Sequence, residues 1–310
     1  AIGPKVRSII IGYIDEYEVN WAIENEIEFY VFDFDRYNVA LREAHLLKKS
    51  AKLNIEVETG LNRTGFNRKD LSAILKQQKQ YEVPIEIIGV CSHLAGAESV
   101  SNYLRIKQQI RRFNSFVRTF EKNNLKIQKH LACSAAMMNY PETIKDMVRV
   151  GIMQYGFWPS KEVKMAYFIQ NNVTEDPLQP VLSWKSKVMS TKEVKMSEYI
   201  GYGSSMMAEK DMKIASVPVG FSDVFARYLS NQGKVWVKGI RRDVIGFVNM
   251  NLMLIDITNC TQFNRGDVVV LIGEQDKLSI SVASFSDFSN QLNYELLTRL
   301  PNNIPRKIRE

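Results

Sequence analysis

The chain has 310 residues, 45% of them hydrophobic and 24% charged, with 41 basic against 34 acidic side chains and a formal charge of +7. That is one large domain or two ordinary ones, and with 16 glycines and 9 prolines it excludes a collagenous, low-complexity or disordered chain. No apolar run reaches the roughly 18 residues of a membrane span. The opening Ala1-Ile2-Gly3-Pro4-Lys5 carries neither a secretory pattern nor an initiator methionine, so the native N-terminus is expected elsewhere.

In chain order, short β-branched runs alternate with longer helical stretches. The runs are Val6–Ile14, Ile27–Phe34, Leu53–Val57, Ile85–Ser92, Lys126–Ser134 and Val150–Phe157; between them lie Glu16–Asn25, Arg36–Lys49, Arg68–Tyr81, Glu98–Asn123 and Pro141–Arg149. Val100, Leu104, Ile110, Phe113, Phe116 and Val117 fall roughly on one helical face. Buried strands alternating with covering helices predict a parallel α/β sheet or barrel. Near Asn171 the pattern changes. Asp176-Pro177-Leu178-Gln179-Pro180 reads as a linker, and Val181–Val188, Lys213–Val219, Lys234–Val237, Val244–Met250, Met253–Ile257 and Val268–Ile272 then follow without long helices. Residues 1–170 are therefore expected to form a β/α domain and 171–310 a mostly antiparallel β domain closing on a short helix over Asn290–Leu300.

Cys91, Cys133 and Cys260 are spaced too widely for a disulfide framework or a CxxC site. A reducing compartment, the cytoplasm, is the expectation. The basic residues are scattered, with no stripe joined to stacking aromatics, which argues against nucleic acid and leaves an anionic ligand as one use for the charge. Three histidines (His45, His93, His130) at such spacing predict no metal site.

Polar residues gather where the first-half strands end. Leu53–Val57 runs into Glu58-Thr59-Gly60-Leu61-Asn62-Arg63-Thr64-Gly65-Phe66, Ile85–Val90 into Cys91-Ser92-His93-Leu94-Ala95, and Lys126–His130 into Leu131-Ala132-Cys133-Ser134-Ala135. The last strand region carries Arg149-Val150-Gly151-Ile152-Met153-Gln154-Tyr155-Gly156. In a barrel the C-terminal strand ends form the active face.

Those four segments, in that order, resemble alanine racemase, a pyridoxal 5'-phosphate (PLP) enzyme of fold type III with a (β/α)8 barrel and a C-terminal β domain. The likeness continues through Gly201-Tyr202-Gly203, Pro218-Val219-Gly220-Phe221-Ser222-Asp223, Gly246-Phe247-Val248-Asn249-Met250-Asn251, Leu292-Asn293-Tyr294-Glu295 and Ile304-Pro305-Arg306. Any one motif is weak; the whole series in order is specific. The family holds PLP covalently through a lysine in an Asn-Ala-Tyr-Gly-His-like segment after its first strand, and this sequence contains no such segment. An eight-strand barrel takes about 250 residues, so roughly 60–90 residues covering the first two βα units are expected upstream of Ala1.

The resemblance implies a role for each site residue, beside which a plainer one stands. Arg149 would hydrogen-bond the PLP ring nitrogen, and its permanent charge would leave that nitrogen unprotonated; otherwise it is a surface arginine ending a helix. Ser134, Gly151, Ile152 and Tyr294 would form the phosphate cup, although Ser134 suits a helix cap and Tyr294 a core position. His93 would stack on the ring and reach the catalytic tyrosine; a lone histidine at a strand end is ordinarily structural, as His45 and His130 are expected to be. Arg63 would contact the cofactor's phenolic oxygen and position the substrate carboxylate. Glu56 stands where many relatives carry a carbamylated lysine that orients this arginine, and would supply the negative charge directly; it is otherwise an exposed strand carboxylate. Tyr202 would be one of two bases on opposite faces, working from the partner subunit of a head-to-tail homodimer, and Met250, also from the partner, would offer its backbone N–H to the substrate carboxylate. Phe221 stands where a tyrosine is usual and Asn251 where an aspartate is, both lining the substrate entrance.

The function implied is racemisation of L- and D-alanine, supplying D-alanine for peptidoglycan. The alternatives are a racemase of another small amino acid, or a PLP-binding or regulatory homologue without turnover. Decarboxylation on a related barrel fits less well, because those enzymes carry a Cys-Asp pair near the C-terminus and Cys260 is followed by Thr261.

Overall fold

A computed structural model describes residues 6–80, 84–260, 263–275, 278–280 and 293–308. The chain divides into two compact units, one comprising residues 1–153 and 158–175 and the other 154–157 and 176–310.

In the first unit strands and helices alternate: β1 (Ile9–Ile10), α1 (Glu16–Glu24), β2 (Glu28–Val31), α2 (Phe34–Leu47), β3 (Ala51–Glu56), α3 (Arg68–Gln80), β4 (Ile85–Cys91), α4 (Tyr103–Lys122), β5 (Gln128–Cys133), α5 (Ser134–Asn139), β6 (Met147–Arg149) and α6 (Lys161–Asn171). The six strands lie side by side in sequence order, all parallel. Right-handed crossovers between successive neighbours put every helix on one face, which is the arrangement of a β/α barrel rather than of a doubly wound sheet. Phe29, Val31, Leu53, Ile55, Val90 and Leu131 are buried within it. Helix α4 shows why its sequence is amphipathic: Ile106, Ile110, Phe113, Phe116, Val117 and Phe120 bury one stripe, and Gln109 lies in that stripe with them. Asp33 caps α2 by accepting from the Arg36 amide at 2.8 Å, and Ser160 caps α6 by accepting from the Val163 amide at 3.1 Å.

Two sequence expectations need correction here. Pro141–Arg149 is not a helix: Pro141 follows α5 and opens a 3-10 turn over Pro141–Thr143, after which Met147–Arg149 pairs with β5 as β6. Val150–Phe157 is not a strand: it opens with a Val-Gly pair and turns through a 3-10 segment at Ile152–Tyr155. Arg149 therefore ends a strand rather than a helix.

The second unit is antiparallel: β7 (Trp184–Lys187), β8 (Ser190–Val194), β9 (Met212–Val217), β10 (Lys234–Val237), β11 (Ile240–Ile245), β12 (Met253–Asp256), β13 (Val268–Gln275) and β14 (Leu278–Ile280), followed by α7 (Asn293–Arg299). Its sheet runs β14-β13-β10-β11-β12-β9-β8, with β7 also on β13. A two-residue turn, Lys238-Gly239 with φ of 50° and 69°, joins β10 to β11; both residues need positive φ to match the strand twist. The sequence places a strand at Val244–Met250, whereas β11 ends at Ile245 because Gly246 turns the chain with φ of 68°.

Candidate active site

The C-terminal ends of β3 to β6 carry a dense set of polar groups. Glu56 ends β3 and is buried, so the reading of it as an exposed carboxylate is corrected. Thr64 donates to its Oε2 at 3.0 Å. Burial lifts the Glu56 carboxyl above its ordinary range, partly offset by the Thr64 bond and the charges of Arg63 and Arg149. The loop bearing Arg63 is pinned at its ends: the Glu58 amide bonds the Phe66 carbonyl at 3.0 Å, the Phe66 amide bonds the Glu56 carbonyl at 2.8 Å, and the Glu58 carboxylate accepts from the amides of Gly60 and Asn62. Gly65 makes the tight return, with φ of 115° and room for no Cβ, which would sit 2.8 Å from the Glu58 nitrogen. Arg63 is exposed, and its charge acts on Glu56 and His93.

Helix α4 holds this loop and the next one together. Gln109, 1% exposed, accepts from the Ala95 amide at 2.8 Å and donates to the His93 carbonyl at 3.0 Å and to Thr59 Oγ1 at 3.2 Å. Arg105 and Arg112 bond the carbonyls of Gly60 and Thr59. His93 follows β4 and is half-buried; desolvation, then the charges of Arg149 and Arg63, push its imidazole down to about 4, so it is neutral at pH 7.

Arg149, at the end of β6, is clamped. Its Nη1 donates to the carbonyl of His130 at 2.9 Å and lies 3.0 Å from His130 Nδ1; its Nη2 donates to the carbonyls of Ser92 at 2.7 Å and Leu131 at 3.2 Å. The ends of β4 and β5 thus occupy both terminal nitrogens, and among the described residues Nε is the donor left over. His130, expected to be structural, is part of this clamp. It is fully buried, with Tyr30 Oη 3.1 Å from Nδ1 and Asn54 Oδ1 3.1 Å from Nε2, and burial together with Arg149 pushes it down to about 3. Burial also raises the Tyr30 hydroxyl and lifts the Cys91 thiol to about 12, so both are protonated. Ser134, fully buried at the start of α5, accepts from the Gly151 amide at 2.9 Å, leaving its own hydroxyl hydrogen to donate. Ile152 is buried beside it in sequence.

The first unit therefore gathers Glu56, Arg63, His93, Ser134, Arg149, Gly151 and Ile152 at one set of strand ends. Tyr30, Asn54 and Gln109 belong with them and were missed. The signal for Gln109 was available, a polar residue in the apolar stripe Ile106–Ile110–Phe113.

The other anticipated residues lie in the second unit. Tyr202 is 71% exposed, at the tip of a loop between Gly201 and Gly203, whose φ values are 77° and 65°. Phe221 and Met250 are brought together: the Phe221 amide bonds the Asn249 carbonyl at 3.0 Å, and the amide and hydroxyl of Ser222 bond the Met250 carbonyl at 2.8 and 2.7 Å. Gly220 permits this approach, since a Cβ there would sit 2.2 Å from the Asn249 oxygen. Both side chains stay open, Phe221 41% and Met250 63% exposed. Tyr294 falls in α7, and its side chain lies outside the described residues.

The family model for the alanine racemase N-terminal domain matches residues 1–159, and that for the C-terminal domain matches residues 181–308. The chain belongs to the alanine racemase family. Alanine racemase of Methanococcus maripaludis is 34% identical over 300 residues, which are 96% of this chain and 78% of that protein. That of Clostridium perfringens is 34% identical over 305 residues, covering 96% and 75%. Among solved structures, alanine racemase of Bacillus anthracis with bound L-Ala-P superposes with a TM-score of 0.82 at 27% identity, over 96% of this chain and 74% of that one. The Streptomyces coelicolor enzyme, at 23% identity and a TM-score of 0.88 over 98% and 78%, shares the fold.

Proposed function

We propose that this chain interconverts L- and D-alanine with PLP as cofactor, each site being built from the first unit of one copy and the second unit of another in a homodimer. The observation that carries this is the clamp on Arg149. A permanently charged guanidinium whose terminal nitrogens are held by neighbouring strand ends has Nε left to aim at a ligand, and an unprotonated pyridine nitrogen is an acceptor that matches it. The Ser134 hydroxyl and the Gly151 and Ile152 backbone, with Tyr294, would hold the phosphate, the Gly151 amide exchanging its bond to Ser134 Oγ for a phosphate oxygen. Arg63, countered by buried Glu56, would face the phenolic oxygen and the substrate carboxylate. The donor set therefore fits PLP.

When bound, PLP supplies the electron-withdrawing ring that makes the α-hydrogen of alanine acidic. The chain's own groups do the rest. Arg149 cannot give up its proton, so it would hold the ring nitrogen without protonating it. His93, neutral at pH 7, would offer a hydrogen-bond acceptor to the catalytic tyrosine. The Tyr202 hydroxyl, exposed on the second unit, takes or returns the α-proton on one face; the opposite base in this family is the lysine that carries the cofactor. The Met250 amide holds the substrate carboxylate, and Phe221 narrows the entrance. The working compartment is the cytoplasm, in keeping with three unpaired cysteines, and the product serves peptidoglycan precursors.

The test is conversion of D-alanine to L-alanine by the native, PLP-saturated protein. Tyr202→Phe is expected to lower kcat in both directions by roughly a hundredfold or more while leaving the PLP absorption bands in place. Wild-type turnover by Tyr202→Phe, or no racemisation by the native protein, overturns the proposal.

A further inference from the structure

Arg7, Glu28, Asn54, His130 and Arg149 come from the approach to β1 and from β2, β3, β5 and β6, yet they form one unbroken file of side chains. Arg7 donates from Nε and Nη2 to the two Glu28 oxygens at 2.5 and 2.8 Å. Asn54 Nδ2 lies 2.8 Å from Glu28 Oε2, its Oδ1 lies 3.1 Å from His130 Nε2, and His130 Nδ1 lies 3.0 Å from Arg149 Nη1. Glu28 is 5% exposed, and Asn54 and His130 are wholly buried. The sheet makes room for the file: Gly89 in β4 faces Asn54, and a Cβ there would lie 2.2 Å from Asn54 Oδ1. Neither Glu28 nor Asn54 has a part in the chemistry above. Buried groups of this kind are costly unless every one is paired, and here each has a partner.

The file has a direction. Arginine only donates, at both ends, and an ionised carboxylate only accepts. Glu28 therefore takes the NH2 of Asn54 and turns its amide oxygen toward His130. That oxygen needs a hydrogen, so His130 carries its proton on Nε2. Its Nδ1 is left with a lone pair, which faces both Arg149 Nη1–H at 3.0 Å and the Tyr30 hydroxyl at 3.1 Å. With the Asn54 amide reversed, its oxygen would face the Glu28 carboxylate; Nδ1 would then bear the proton, donate it to the Tyr30 oxygen and turn an N–H toward the Nη1 of Arg149, which cannot accept it.

We propose that Glu28 is a positioning residue: through Asn54 it sets the hydrogen-bond direction of the file, holds His130 in the Nε2–H tautomer and thereby keeps Arg149 aimed at its ligand. The consequence for the ligand rests on the PLP reading above, whereas the tautomer does not.

The experiment uses the full chain with 15N-labelled histidine; three histidines make assignment simple. Long-range 1H–15N spectra report which ring nitrogen carries the proton. Wild type is expected to show His130 as the Nε2–H tautomer alone. Glu28→Gln is nearly isosteric, but its amide can donate to Asn54 and so permits the reverse direction. It is expected to show both His130 tautomers, and to weaken PLP binding roughly tenfold, the order of one lost hydrogen bond to a charged group. Glu28→Asp, still acceptor-only, is expected to restore the single tautomer. Should Glu28→Gln fail to fold, Gly89→Ala, which displaces the Asn54 amide, is expected to give the same mixture. A single unchanged His130 tautomer in the folded variant overturns the proposal, whatever happens to PLP affinity. Absence of PLP binding in wild type overturns the cofactor reading and leaves the tautomer result to decide this one.

Discussion

Gln109 offers a quantitative check on how the site loops are held. Replacing it with leucine keeps the volume and the helix but removes three bonds, from the Ala95 amide and to the His93 carbonyl and Thr59 Oγ1. Thr59 keeps Ser92 Oγ at 2.8 Å, so two backbone groups lose the partner that Gln109 supplied. At about 1–3 kcal/mol for each buried unsatisfied group, less about 1 kcal/mol for the added apolar burial, the net cost is roughly 1–5 kcal/mol. Gln108, its exposed neighbour, is the control, since Gln108→Leu should stay within about 0.5 kcal/mol. Urea unfolding of the full chain gives the difference, and hydrogen exchange at the Ala95 amide locates it. If Gln109→Leu matches Gln108→Leu in both measurements, the latch between the loops after β3 and β4 contributes nothing and the argument fails.

Three further outcomes follow from the same geometry. Glu56→Gln should raise KM for alanine several-fold with kcat little changed, because the charge beside Arg63 is lost; an unchanged KM counts against that pairing. His93 and His130 are both depressed in the fold, to about 4 and about 3, so the unfolded chain binds more protons below its histidine pKa near 6.5. Their contribution to stability is complete above pH 6.5 and declines as pH falls toward 4 and then 3, and urea midpoints from pH 7 to 5 should fall accordingly; a flat profile would contradict the burial of both rings. Gly65→Ala combines a positive φ with a 2.8 Å clash on backbone and should cost about 2–4 kcal/mol, with loss of substrate affinity through the displaced Arg63 loop; a wild-type midpoint would refute it.

Much of the first unit could be read from sequence because its strands are β-branched runs separated by amphipathic helices, a pattern with a direct physical cause. The polar segments at the strand ends could be read for the same reason: nothing in a packed core asks for Arg63, His93 or Ser134 there. The strand β6 escaped because three residues carry no period, and β8 because Ser190 to Glu193 are exposed and polar. The file through Glu28, Asn54 and His130 was illegible for a deeper reason. Its members lie 26 and 76 residues apart, and each alone looks like an outward-facing strand residue; only the lateral order of the sheet makes them neighbours.

The shortness of β6 gives Arg149 a second consequence. With three residues in the strand and a register shift in its pairing with β5, the backbone ladder there is sparse, and the guanidinium bonds to Ser92, His130 and Leu131 bind the edge strand to its neighbours. A substitution meant to retune the chemistry at this position would also unfasten the scaffold beneath it. On the proposed function, any redesign at Arg149 must therefore arrive with a replacement brace, because one side chain is both tool and mortar.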